Sequence, residues 1–120
     1  MRTCIPTNAK LVPDHAEKVF SGMIFDVYQW EQELFDGSHQ TFEMLKRPDT
    51  TKVIAIRDNK IIILEEEQPG FPPFFDVPGG RHDAEGETEL ESAKRELLEE
   101  TGLTFKNWSL VGIDQPQSKT

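Results

Sequence analysis

The sequence predicts an α/β chain of the α+β kind: a mixed β-sheet with one helix packed on it, preceded by an N-terminal antiparallel β region. Three observations predict this. Short apolar and aromatic stretches alternate with turn signals from Gly22 to Val77, the pattern of strands. One segment, Thr88 to Thr101, has apolar residues at helical spacing and capping residues at both ends. The turn pairs Asp36-Gly37 and Asp58-Asn59 sit where strand pairs should reverse.

Residues 1–19 are polar and punctuated by Pro6 and Pro13, and are expected to form an arm with one short strand. From Gly22 to Leu34, Ile24, Phe25, Val27, Tyr28 and Trp30 favour a strand. Thr41 to Leu45 returns from the Asp36-Gly37 turn, and Pro48-Asp49 breaks that strand. Residues 1–48 are thus an arm and β region, and 49–120 the core domain. Thr51 to Ile56 and Lys60 to Glu65 form the next predicted pair. Ile61-Ile62-Ile63-Leu64 is an unbroken apolar run, as expected of a strand covered on both faces. Four prolines and glycines (Pro69, Gly70, Pro72, Pro73) stiffen the next loop, whose phenylalanines Phe71 to Phe75 read as packed. Phe74 to Val77 delivers the chain to Pro78-Gly79-Gly80. In the helix, Leu90, Ala93, Leu97 and, at the margin, Leu98 make the apolar face. Thr88 is the expected N-cap with Glu91 as its reciprocal partner, and Gly102 the C-cap glycine. Trp108 to Ile113 is the last predicted strand.

A chain of 120 residues with 36% hydrophobic and 29% charged residues folds as a modest domain. Its net charge is −9 and its pI about 4.7. Such a surface repels nucleic-acid backbones, so no nucleic-acid partner is expected. A small phosphate ester can still bind where metal ions neutralise both sides. Cys4 is the single cysteine, which rules out an internal disulfide and favours a reducing, cytoplasmic setting. No apolar run approaches the roughly 20 residues of a membrane span, so no membrane partner is expected.

The chemistry concentrates in the helix. Glu96 and Glu100 lie four residues apart, about 40° around a helix, and Glu99 adjoins both. Three carboxylates this close repel one another unless a hard divalent cation such as Mg²⁺ holds them. A backbone carbonyl from the glycine turn, that of Gly79, is a candidate to complete the metal shell. Arg95 and Glu87 are spaced to brace loop against helix through a two-pronged bond.

These residues closely resemble the Nudix box, the signature of the Nudix hydrolases, here spanning 79–103. From Glu87 the match is complete: seven residues lead to Arg95, followed by Glu96-Leu97-Leu98-Glu99-Glu100-Thr101-Gly102-Leu103. Upstream, six residues rather than five separate Gly80 from Glu87, so Arg81 stands where the pattern has glycine. Which backbone carbonyl reaches the metal is thereby left open. Gly22-Met23-Ile24-Phe25, Asp36-Gly37, Phe42-Glu43 and Arg47-Pro48 resemble the ADP-ribose pyrophosphatase branch. Gln68-Pro69 stands where that branch often has an arginine before the proline.

The resemblance implies Mg²⁺ (with Mn²⁺ as the alternative) bound by Glu96, Glu99 and Glu100, the same three residues being catalytic, with Glu87 and Arg95 structural. It implies hydrolysis of a nucleoside diphosphate linked to another group, ADP-ribose or a nucleotide sugar foremost. Tyr28, Arg47, Gly80 and Arg81 are the expected substrate contacts, and a homodimer through the N-terminal β region is expected. Two alternatives stand beside this: a nucleotide-binding or regulatory module without turnover, and a hydrolase of nucleoside triphosphates or dinucleotides. Family members usually run several strands and a helix past the position of Thr120, and the branch takes a catalytic glutamate from there. The chain is therefore expected to be C-terminally truncated, with weak or no turnover by itself.

Other residues carry plainer expectations. His82 reads as a solvated loop histidine, and His15 and His39 carry no assignment. Tyr28 and Trp30 favour packing over base stacking. Gln115-Pro116-Gln117-Ser118 is either near the site or a frayed tail.

Overall fold

The computed structural model describes residues 2–115. The chain divides into two compact units, one made of residues 2–4 with Asp49–Gly112, the other of Ile5–Pro48 with residues 113–115. No helix among the described residues is long and apolar enough to cross a membrane.

The Ile5–Pro48 unit is a three-stranded antiparallel sheet in sequence order: β1 (Glu17–Ser21), β2 (Asp26–Glu33) and β3 (His39–Lys46). Asp36-Gly37 makes the β2–β3 turn: the Ser38 amide donates to Asp36 Oδ1 at 2.9 Å, and Gly37 takes φ +83°, a conformation that glycine adopts without a Cβ penalty. Period two puts Tyr28 and Trp30 on one face, opposite Met44 and Phe42. The Trp30 and Phe42 rings meet edge to face at 6.0 Å, a favoured aromatic geometry. Gln115, expected near the site or in a frayed tail, exchanges two hydrogen bonds with the Lys10 backbone. Residues 116–118 of that expectation lie outside the described residues.

The other unit contains β4 (Asp49–Lys52), β5 (Ile56–Arg57), β6 (Lys60–Ile61), β7 (Leu64–Glu66), β8 (Phe74–Asp76), β9 (Gly79–His82) and α1 (Glu89–Thr101). β4 pairs with β9, β5 with β6 and β7 with β8, all antiparallel. Asp58 and Asn59 take φ +53° and +60°, the mirror-image turn that suits a two-residue hairpin. The helix packs on β9 and β4. It begins with the complete capping box of Thr88 and Glu91 and ends at Gly102 in the left-handed conformation, with φ 73°. Val53, Ala55 and Leu97 form the buried core, with Ile62, Ala93, Phe105 and Trp108 packed around them.

Several expectations are corrected. The 51–65 pair is regular only over Ile56–Arg57 and Lys60–Ile61, extended by one bond from Ile62 N to Ala55 O at 3.0 Å. The run Ile61 to Leu64 is not covered on both faces. Ala55 and Ile62 turn toward the helix, while Ile54, Ile56, Ile61 and Ile63 are all more than half exposed, because α1 is the only helix among the described residues and it covers one face. Leu90 and Leu98 are also about half exposed, so the helix buries a stripe narrowed to Leu97, Ala93 and Ser92. Phe71 and Phe75 are exposed rather than packed; in β8 the strand alternation leaves Phe74 half-buried and turns Phe75 outward. Residues 108–113 form no strand: Leu110 and Val111 stand exposed with no partner strand among the described residues. Trp108 instead turns back, its Nε1 donating to the Phe105 carbonyl at 2.9 Å.

Candidate active site

Two elements build the acidic centre, β9 and α1. Pro78 hands the chain to Gly79, where φ is +155° and an added Cβ would stand 2.1 Å from the Thr51 carbonyl oxygen. Only glycine fits there, so β9 can run tight against β4. One residue on, a Cβ at Gly80 would stand 2.6 Å from both Cδ and Oε1 of Glu96. The missing side chain of Gly80 is therefore the space in which the Glu96 carboxylate sits.

Glu100 arrives one turn later beside Glu96. Burial pushes its carboxyl above the usual range, and the charges of Glu96 and Glu66 push it the same way, while the Gly79 amide donates to it and pulls it down. Like charges held at hydrogen-bond range favour a shared proton or a cation between them. The sequence reading missed Glu66, on β7. Its signal is the period-two alternation that carries on from Leu64, which leaves Glu66 half-buried while Glu65 faces out.

Arg95 organises the other side of the helix. Its Nε and Nη2 donate to the two carboxylate oxygens of Glu87 at 2.8 and 3.0 Å, the planar two-pronged geometry that suits guanidinium and carboxylate. Nη1 reaches Glu96 Oε1 at 3.1 Å and Glu99 Oε2 at 3.4 Å. The hydrogen bond from Arg95 holds the Glu87 carboxyl below its usual range, and the same bond raises the guanidinium. Ser92, fully buried one turn before Arg95, adds a contact that lowers Glu87 further. His82 is not the solvated loop residue expected. It lies on β9 across from Asp49, 8% exposed, and its Nε2 contacts the Glu87 backbone carbonyl. Strand pairing buries it, and its contact pins the loop before the helix.

The structure therefore brings Glu96, Glu100, Gly79 and Gly80 together, and binds Glu87, Arg95 and Glu99 into a neighbouring ion-pair network. Glu99 is turned to Arg95, its side chain 58% exposed. Arg81 points along β9 toward Asp83, 3.8 Å away, and is half exposed. In the other unit, the Tyr28 ring has the ammonium groups of Lys18 and Lys46 each 5.9 Å from its centre, and the Arg47 guanidinium lies 5.8 Å over Phe25. These are cation–π contacts.

The donor set fits a hard divalent cation in its chemistry: two adjoining carboxylates, Glu100 among them with raised proton affinity, oxygen atoms only, against a backbone with no side chain. Among the described residues no three His, Cys, Asp or Glu side chains are arranged as ligands around one point; Arg95 Nη1 engages both Glu96 and Glu99. Helix electrostatics point the same way. Glu99 and Glu100 occupy the last turn, which holds no basic residue, so they oppose the helix dipole. A local rule broken in this way marks a functional site more often than a structural one.

Comparison with known proteins gives the family. The NUDIX domain model matches residues 46–119. This chain belongs to the Nudix family. The matched stretch contains β4 to α1, with the acidic helix in its second half. An ADP-ribose pyrophosphatase of Bacillus subtilis (strain 168) is 36% identical over 97 residues, covering 79% of this chain and 52% of the relative. An ADP-ribose pyrophosphatase of Methanocaldococcus jannaschii is 42% identical over 112 residues, 82% of this chain and 62% of the relative. A methanol dehydrogenase activator of Bacillus methanolicus is 34% identical over 88 residues, 72% and 47% respectively. The Nudix chain spans about half the length of the curated relatives it matches.

Proposed function

We propose that this chain carries the acidic centre of a Mg²⁺-dependent pyrophosphohydrolase that cleaves a nucleoside diphosphate linked to another group. ADP-ribose, giving AMP and ribose 5-phosphate, is the foremost substrate, and other nucleotide sugars come next. The observation that carries the reading is the meeting of Glu96 and Glu100 against β9, Glu96 in the space left by Gly80 and Glu100 at the Gly79 amide, on a helix braced by Arg95 and Glu87. The names of two relatives support the substrate.

Glu96 and Glu100 would hold the cation, with Glu99 joining them once it leaves Arg95, and the Gly79 carbonyl as the backbone donor. Mn²⁺ would serve in place of Mg²⁺. When bound, the cation screens the phosphoryl charge and lowers the pKa of a coordinated water. The chain's own residues do the rest. Arg95 fixes Glu87 and so the loop, Gly79 orients Glu100 through its amide, and Gly80 leaves the space for the Glu96 carboxylate while its backbone is a proposed substrate contact. Arg81 is the proposed phosphate contact, which its guanidinium fork suits. Tyr28 and Arg47, in the 1–48 region, are the proposed contacts to the nucleoside, and that region is also the proposed homodimer surface. A cytoplasmic setting and a small-molecule nucleotide partner complete the reading.

A second reading, nucleotide binding without turnover in a regulatory role, draws on the relative named as a dehydrogenase activator. One experiment separates them. Release of AMP or phosphate is followed for ADP-ribose, nucleotide sugars, dinucleotides and nucleoside triphosphates, with and without Mg²⁺, in parallel with thermal unfolding. Mg²⁺-dependent AMP release from ADP-ribose, lost in Glu100→Gln, supports the hydrolase. Mg²⁺ that raises the unfolding temperature, with no cleavage of any substrate, supports the binding module. Neither effect overturns both.

A further inference from the structure

We propose that residues 2–4 are a clasp that positions the loop carrying Glu87 by gripping the elements on both sides of it. Arg2 donates from Nε and Nη2 to Asp49 Oδ2 and Oδ1 at 2.6 and 2.8 Å. Thr3 donates its amide and its hydroxyl to Glu89, and the Cys4 amide adds a third bond to Glu89 Oε1 at 3.3 Å. Two consecutive residues of the segment thus converge on one carboxylate, while the residue before them takes another carboxylate with a planar fork.

The two acceptors are not arbitrary. Asp49 opens β4 and is the register partner of His82, the last residue of β9. The His82 ring contacts the Glu87 carbonyl from that side. Glu89 opens α1 on the other side, two residues after Glu87. Residues 83–88 are therefore suspended between two anchors, and the clasp bonds to both. A single exposed ion pair contributes little. Several charge-assisted bonds in one segment, each fixing the next, contribute more, because the ordering entropy of the segment is lost once and serves all of them.

The clasp has a second consequence in the chain path. Cys4 and Asp49 flank Ile5–Pro48, the stretch that forms the other compact unit. The Arg2–Asp49 bond therefore ties the two chain ends that bound that unit.

The proposal rests on the hydrolase reading only for its effect on turnover. It is tested by amide hydrogen exchange on the whole chain, read at Glu87, Glu91 and Ser92, whose amides are bonded to Ala84, Thr88 Oγ1 and Thr88 respectively. Arg2→Asp and Asp49→Arg each place like charges at the clasp, and the double exchange restores the pair. Each single variant is expected to exchange about tenfold faster at those amides, with β2 and β3 amides unchanged and the double variant back at the wild-type rate. In parallel, kcat falls in the single variants and returns in the double, with KM little moved. Should Arg2→Asp fail to fold, Arg2→Gln removes the charge alone and takes its place. Unchanged exchange in the single variants, or a double variant as fast as they are, overturns the clasp. If no substrate is cleaved by any of them, the hydrolase reading fails while the exchange data still decide the clasp.

Discussion

The carboxylate of Glu96 occupies the place where Gly80 would carry a side chain. A Cβ at Gly80 would stand 2.6 Å from Glu96 Cδ and 2.7 Å from Oε2. The atoms in the way are the far end of a flexible side chain, so Glu96 can swing aside at small cost in stability. Gly80→Ala is therefore expected to fold and melt close to wild type while losing tenfold or more in Mg²⁺-dependent turnover, on the order of what a misplaced catalytic group costs. Gly79→Ala differs, because its Cβ would meet the backbone oxygen of Thr51 at φ +155°; loss of the folded β4–β9 pair, seen by circular dichroism, is expected. Equal melting and equal activity in both variants would sink this account.

Arg95 joins three carboxylates, and only a guanidinium can do so. Lysine offers one point of charge in place of a rigid fork. In Arg95→Lys, Glu87 loses its two-pronged partner and Glu96 and Glu99 lose their shared donor. The expected outcome is a variant that remains folded, with turnover reduced by tenfold or more and a larger Mg²⁺ requirement. The check is a Mg²⁺ titration of activity beside the wild type.

Glu89 gives the chain an acid-sensitive contact. Burial raises its pKa, but the Thr3 hydroxyl and the Thr3 and Cys4 amides outweigh burial and bring it from 4.5 to about 2. A carboxyl depressed in the folded state contributes stability above its unfolded pKa and loses it as pH falls through the folded one. The contribution is complete above about pH 4.5 and gone below about pH 2. Glu89→Gln should therefore be less stable than wild type at pH 7, with the gap closing between those two values. Urea unfolding at pH 7, 4 and 3 measures it, and a gap that widens on acidification would refute it.

Leu97 is 1% exposed in a core whose other fully apolar members are Val53 and Ala55. Truncating a buried leucine costs about 2–5 kcal/mol. With so small a core, Leu97→Ala is expected to unfold the helix unit or lower its denaturant midpoint severely, and equilibrium unfolding will show which.

Local signals were the legible part of this fold. The helix announced itself at both ends, Thr88 with Glu91 and Gly102, because capping depends on residues within one turn. The two reversals, Asp36-Gly37 and Asp58-Asn59, were equally local. Exposure was not legible. Ile61 to Ile63 reads the same whether one face or both are covered, since the cover comes from a distant element. His82 was misread because a loop composition hid the strand pairing with Asp49. Glu66 and the segment Arg2 to Cys4 were missed for the same reason: each meets the site from far along the chain, and no spacing rule reaches that distance.

The four isoleucines of the β5–β6 hairpin have a consequence for the chain in solution. Ile56 faces Ile61 in register, and Ile54 and Ile63 flank them on the same side. A net charge of −9 keeps copies of the chain apart at low ionic strength. At about 0.15 M salt the screening length shrinks to roughly 8 Å, and the repulsion no longer reaches past the width of a strand pair while the apolar contact is undiminished. This chain should accordingly be most monodisperse in dilute buffer, and added sodium chloride should drive it together rather than dissolve it.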